Sequence, residues 1–230
     1  MKKLLTVAVL LSLGAGVCYA TSISFSKHNL STSGTGVHST TQTQICIFCH
    51  SPHNPMGVPL WNRTPPTTDP ATYLLYTSGS TLTAAAKASR IDTSSISILC
   101  LSCHDGTVDE IGSRVINKVG NPMTMVDTNG TWTKSGVVWD GRTPVNHPVG
   151  FDYLLAQSQS PGKLRPARDV TTLLGAGFNV FFTSTQTAPY YNSMECATCH
   201  TVHDPENSPF LRISNANNAL CLACHIDKIF

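Results

Sequence analysis

The sequence predicts a coil-rich fold with short helices and a few β-hairpins, wrapped around four large apolar groups that the chain itself attaches. Three observations predict it. Four copies of Cys-x-x-Cys-His are spread along 230 residues. Few segments show a sustained hydrophobic period of either kind. The motifs also recur in an ordered pattern in the two halves of the chain. A chain of this size that buries flat apolar cofactors has less need to bury side-chain faces against one another.

The elements follow in order. Residues 1–20 carry Lys2 and Lys3, an apolar run from Leu4 to Val17 and the small-residue site Cys18-Tyr19-Ala20, which reads as a secretory signal cleaved after Ala20. A lipid-attachment reading of Cys18 is disfavoured because Val17 stands where such sites want a small residue. The expectation is an exported protein, extracellular or at the cell surface, with the periplasm as the alternative. No later stretch approaches the roughly 20 apolar residues of a membrane span. Once Lys2 and Lys3 leave, 13 basic residues balance 13 acidic ones, and no Lys/Arg cluster offers a footprint for nucleic acid. Charged residues are 12% of the chain, against roughly 25% in an ordinary domain. Such a weakly charged surface opposes self-association little.

The remainder, 21–230, reads as one domain: a first motif pair over about 21–119, a linker over about 120–193, and a second pair over about 194–230. Ser51 to Pro70 is rich in Pro and polar residues and reads as an extended wrap. Thr83 to Arg90 is Ala-rich and reads as a helix. In the linker, Asn129-Gly130 between Met125-Val126 and Trp132, and Phe178 to Thr183 after Gly175-Ala176-Gly177, are hairpin signals.

Of nine cysteines, Cys18 lies in the leader and the other eight fall without remainder into Cys46-Ile47-Phe48-Cys49-His50, Cys100-Leu101-Ser102-Cys103-His104, Cys196-Ala197-Thr198-Cys199-His200 and Cys221-Leu222-Ala223-Cys224-His225. Two thiols about one turn apart can each form a thioether to a haem vinyl group, and the adjacent imidazole then lies under the iron. A disulfide framework or zinc knuckles would leave the histidine after every second cysteine unexplained. The cofactor implied is therefore four covalently bound haem c. His50, His104, His200 and His225 are the proximal ligands.

The region Gln44 to Pro55 lines up with Met194 to Pro205, and Leu99 to His104 with Leu220 to His225. The order is type one, type two, type one, type two: two haem pairs from a duplication. Five histidines remain for four distal positions: His28, His38, His53, His147 and His203. His53 and His203 each follow a proximal histidine by three residues, so they project beside it rather than across its own haem, and each is placed to reach the iron of a partner haem. His147 stands before Pro148, which holds its backbone out of helix in a presenting loop. His28 and His38 compete for the last place on spacing alone. Methionine ligation by Met56, Met123, Met125 or Met194 is unnecessary with five histidines spare.

Taken together, His28 to Ser31, Ile47 to Asn54, Leu99 to Gly106 and Asn146 to Gly150 resemble the doubled Cys-x-x-Cys-His family of multihaem c-type cytochromes over essentially the whole chain after the leader. In haem count, length and lack of a lipid site the chain is similar to the OmcE-type extracellular cytochromes of metal-respiring bacteria, which assemble into nanowire filaments with a continuous haem chain. The resemblance implies a multihaem cytochrome c fold, low-potential bis-histidine haems, His28 as a distal ligand and His38 as the spare. It implies electron transport rather than enzyme catalysis, with self-association into a filament and with other redox proteins or extracellular electron acceptors as partners. A soluble periplasmic shuttle is the alternative. A multihaem reductase would need one open iron, and no Cys-x-x-Cys-Lys motif marks one. His28 lies eight residues past the expected cleavage site, on a Ser/Thr/Gly-rich arm with little to pack, so it is also expected to be free to reach a neighbouring subunit.

Overall fold

The computed structural model describes residues 22–51, 61–63, 82–91, 95–104, 125–127, 147–176, 180–184 and 190–226. The leader, most of the Ser51–Pro70 segment, His53, the Asn129-Gly130 turn, Met56 and Met123 lie outside them. Within them the chain is coil-rich, with short helices and two small antiparallel sheets.

Strand β1 (Val37–Ser39) pairs antiparallel with β2 (Met125–Asp127), His38 opposite Val126. The strand expected to begin a local hairpin thus finds a partner in the N-terminal arm. The second hairpin signal does produce one: β4 (Phe182–Ser184) pairs with β5 (Tyr190–Met194). The other edge of β5 takes β3 (Phe151–Asp152), giving the order β3-β5-β4. Helix α1 (Ala84–Lys87) is capped by Thr83, whose hydroxyl accepts from Ala86 N–H at 3.1 Å. It ends before the expected Arg90 because the Arg90 N–H is given to Gly150 O at 2.8 Å, which draws the chain out of the helix. Helix α2 (Ser97–His104) contains the second motif entire. Helix α3 (Tyr153–Gln159) starts at Asp152, whose carboxylate accepts from Leu155 N–H at 3.0 Å. Then come α4 (Ala167–Leu173), α5 (Cys196–Cys199) and α6 (Ala219–Cys224).

The apolar core is divided. Its largest cluster joins Phe151, Tyr153, Val170, Val180, Phe181 and Met194 with Ala223 and Cys224 of the last motif. Leu30, Ile47 and Phe48 form a second cluster, and Ile91, Ile98 and Leu101 a third. Each cluster lies against a Cys-x-x-Cys-His segment, so the described core organises itself around those segments.

The N-terminal arm differs from its expectation. Asn29, Leu30 and Ser31 are buried, Ser39 N–H donates to Leu30 O at 2.8 Å, and Thr32 N–H donates to Gln42 O at 2.9 Å. The Asn29 amide donates to Ser24 O at 2.9 Å and to the Ser33 hydroxyl at 3.0 Å. Small polar residues pack here through hydrogen bonds where the expectation looked only for apolar ones. The arm, and His28 with it, is folded onto its own chain.

Candidate functional site

Each motif forms a tight turn or short helix that brings its two thiols and its histidine to one side. At the first, a 3-10 turn spans Cys46–Phe48 and His50 N–H donates to Cys46 O at 2.8 Å. The same bond recurs from His200 to Cys196 O at 3.1 Å and from His225 to Cys221 O at 2.9 Å. At the second motif, helix α2 runs through Cys100, Cys103 and His104, positions that share a helical face.

The carbonyls left open where these turns end are closed by a device that recurs. Asn62 donates its N–H to Cys49 O at 2.9 Å and its side-chain amide to Ile47 O at 2.7 Å. Arg212 donates its N–H to Cys199 O at 2.9 Å and its Nε to Ala197 O at 2.9 Å. Arg165 donates its N–H to Cys224 O at 2.8 Å and its Nε to Leu222 O at 2.8 Å. In all three, one residue holds the carbonyl of the second cysteine and that of the residue after the first. The second motif has a relative of this clamp: Arg63, wholly buried, donates to Ser102 O at 3.1 Å. Sequence reasoning missed these residues. For two of them a signal existed, since Trp61 bridges His50 and Leu211 bridges His200 at the same offset, so the internal repeat runs on past Pro55 and Pro205 to Asn62 and Arg212.

Three histidines from elsewhere face motif histidines. The ring centres of His203 and His50 are 6.1 Å apart, those of His28 and His104 6.0 Å, and those of His147 and His225 6.4 Å. With about 2 Å per metal–nitrogen bond and about 1.1 Å from ring nitrogen to ring centre, two imidazoles on one iron stand about 6 Å apart. These spacings fit haem iron. For His147 and His200 the orientation fits too: Nδ1 lies 2.8 Å from Pro148 O and 3.0 Å from Pro209 O, which leaves Nε2 as the ligating atom. His38 Nδ1 is likewise engaged, 2.7 Å from Gly36 O, but no motif histidine faces its ring among the described residues. His200 faces no described histidine in such a pair, and His53, expected to serve a partner haem, lies outside the described residues.

The protonation states suit the same use. Burial, with help from His104, His200 and His203, pushes His28 down to about 4. Burial also lowers His147 and His225, the latter aided by His147. All three are neutral at physiological pH, as a ligand must be. None of the eight cysteines is in a disulfide. Burial pushes Cys49 up to about 12, with the Cys103 thiol adding to it, and raises Cys199 and Cys224 to about 11 and about 12 with each neighbouring motif's thiols contributing. Cys100 donates a hydrogen bond to the Cys196 sulfur, which raises Cys100 and lowers Cys196. Successive motifs therefore have neighbouring thiols: first with second, second with third, third with fourth. Among the described residues no group of three or more His, Cys, Asp or Glu side chains gathers into a metal site of its own. No helix among them is long and apolar enough to cross a membrane.

Residues 189–230, which hold the third and fourth motifs, match the family model described as the doubled CXXCH motif. No curated protein matches the chain. The match supports a multihaem c-type cytochrome that takes part in electron transfer, with covalently bound haem c.

Proposed function

We propose that this multihaem c-type cytochrome is a tetrahaem, bis-histidine electron carrier that works outside the cytoplasm, as a subunit of an extracellular haem-chain filament. The observation that carries the bis-histidine reading is the set of three ring pairs at 6.0–6.4 Å, each joining a motif histidine to one from a distant part of the chain. Cys46, Cys49, Cys100, Cys103, Cys196, Cys199, Cys221 and Cys224 hold the four groups. His50 with His203, His104 with His28 and His225 with His147 close three of them. His53 closes the fourth with His200, because it stands at the same offset from His50 as His203 does from His200. Haem c supplies a reversible one-electron iron couple whose potential follows from its axial ligands. The residues would do the rest: two neutral imidazoles would ligate each iron, the Asn62, Arg212 and Arg165 clamps fix the motif backbones, and the buried clusters exclude water. Neighbouring thiols at successive motifs support a continuous path. The balanced, sparse charge supports assembly of copies.

Carbon monoxide added to the dithionite-reduced protein tests the ligation. No rapid binding is expected, and stoichiometric binding at even one haem would turn the reading towards a reductase with an open iron. Electron microscopy of secreted material tests assembly. Filaments are expected, and dispersed monomers at high concentration would leave the periplasmic shuttle instead.

A further inference from the structure

Between the second and third motifs lies a buried carboxylate that neither attaches nor ligates anything. Glu195 is 1% exposed. Its Oε2 accepts from the Ser95 hydroxyl at 2.5 Å, from the Ser97 hydroxyl in a short bond, and from Ser97 N–H at 3.3 Å. Its Oε1 accepts from the Ser193 hydroxyl at 2.7 Å. The serines are buried as deeply as the glutamate. Ser97 also accepts from Cys196 N–H at 2.9 Å, so one hydroxyl joins the carboxylate to the attachment cysteine of the third motif.

Glu195 heads helix α5, whose entry carries a capping box between Glu195 and Thr198. The Thr198 hydroxyl accepts from Glu195 N–H at 3.0 Å, and Thr198 N–H donates to Glu195 O at 2.9 Å. The carboxylate also reaches across to the first turn of α2, where open N–H groups and the helix dipole favour an anion. Burying a carboxylate is costly unless several donors satisfy it, and here Ser95 and Ser97, distant in the chain, donate alongside the Ser193 hydroxyl. The result is that the first turn of α2, the helix that carries Cys100, is held against Cys196.

We propose that Glu195 is the positioning residue of the junction between the two haem pairs: with Ser95, Ser97 and Ser193 it clasps α2 to α5 and so sets how the haem at Cys100–His104 lies against the haem at Cys196–His200. This rests on the tetrahaem reading above and adds to it the residue that registers the two repeats. Electron passage between haems depends on their separation and relative orientation, so the clasp governs that crossing without touching either iron.

The test uses the intact haem-loaded protein and two variants, Glu195→Gln and Ser97→Ala. The glutamine keeps the shape but loses one acceptor oxygen. The alanine leaves the carboxylate in place but cuts its link to Cys196. Haem is counted by pyridine haemochrome, haem–haem geometry is read from the Soret circular-dichroism couplet, and potentials are read by spectroelectrochemistry. Both variants should retain the parent haem count while the couplet changes shape and the potentials of the two junction haems shift, with the others unmoved. A purely structural role would lower stability and leave couplet and potentials alone. If haem is lost instead, alkylation mapping should find the free thiols at Cys100 or Cys196, and loss at other motifs overturns the clasp. Parent-like couplet and potentials in both variants also overturn it. A parent protein without four covalent haems would sink the function proposed above, an outcome separate from these.

Discussion

Histidine chemistry at this site depends on which partner each ring faces. His203 lies three residues after its own motif's histidine, His200, but its ring stands 6.1 Å from that of His50, since side chains so close in sequence project to the same side. His203→Ala should therefore convert the haem at Cys46–His50 to high spin, and His147→Ala the haem at Cys221–His225. Covalent haem content should stay at the parent value, because attachment uses the thiols. Electron paramagnetic resonance with pyridine haemochrome checks both. A low-spin spectrum unchanged in either variant would contradict the pairing. Arg165 offers a different test: its Nε bond to Leu222 O is one arm of the clamp on the last motif, so Arg165→Ala should cost about 1–2 kcal/mol through a part-buried carbonyl left without its charged donor. Chemical denaturation of the haem-loaded protein measures it.

Short elements here are held by their neighbours more than by their own propensity. The loop that presents His147 is the clearest case. Gly150 sits at φ +74°, and a Cβ there would meet Arg90 O at 2.3 Å. Its N–H donates to Met194 O at 2.6 Å while its carbonyl receives Arg90 N–H at 2.8 Å, so this glycine stitches α1, β5 and the loop together. Gly150→Ala must both strain the backbone and push Arg90 away, at a cost of about 1–3 kcal/mol. The expected outcome is a lower melting temperature together with partial high-spin character at the haem of His225. An unchanged spin state would mean that His147 is positioned by Pro148 and its own Nδ1 contact alone.

At the scale of the molecule, the described core is split into three clusters, and each packs on a Cys-x-x-Cys-His segment. Folding and cofactor attachment are then linked: a group bound only by the folded form supplies folding free energy. Expressed where no haem is attached, the chain should show no cooperative thermal transition by circular dichroism, while the loaded protein should show one. A sharp transition in the haem-free chain would mean that the side-chain clusters suffice on their own.

The sequence by itself determined the chemistry. Cys-x-x-Cys-His is a local code whose spacing reads as two thioethers and a ligand, so covalent haem c chemistry was legible in the chain, as the doubled-motif match over residues 189–230 supports. The β4–β5 hairpin and the capped helix after Thr83 were legible for the same reason, their signals lying within a few residues. Tertiary structure alone decided which distant histidine faces which motif, that the polar N-terminal arm packs rather than projects, and that Met125–Asp127 pairs with Val37–Ser39. It also decided the clamp of Arg165 and the Glu195 clasp. Each of these joins backbone or small polar groups across tens of residues, and hydrogen bonds of that kind leave no periodicity or composition in the chain to read. They exist only where folding brings an unsatisfied carbonyl or helix end within about 3 Å of a donor or acceptor.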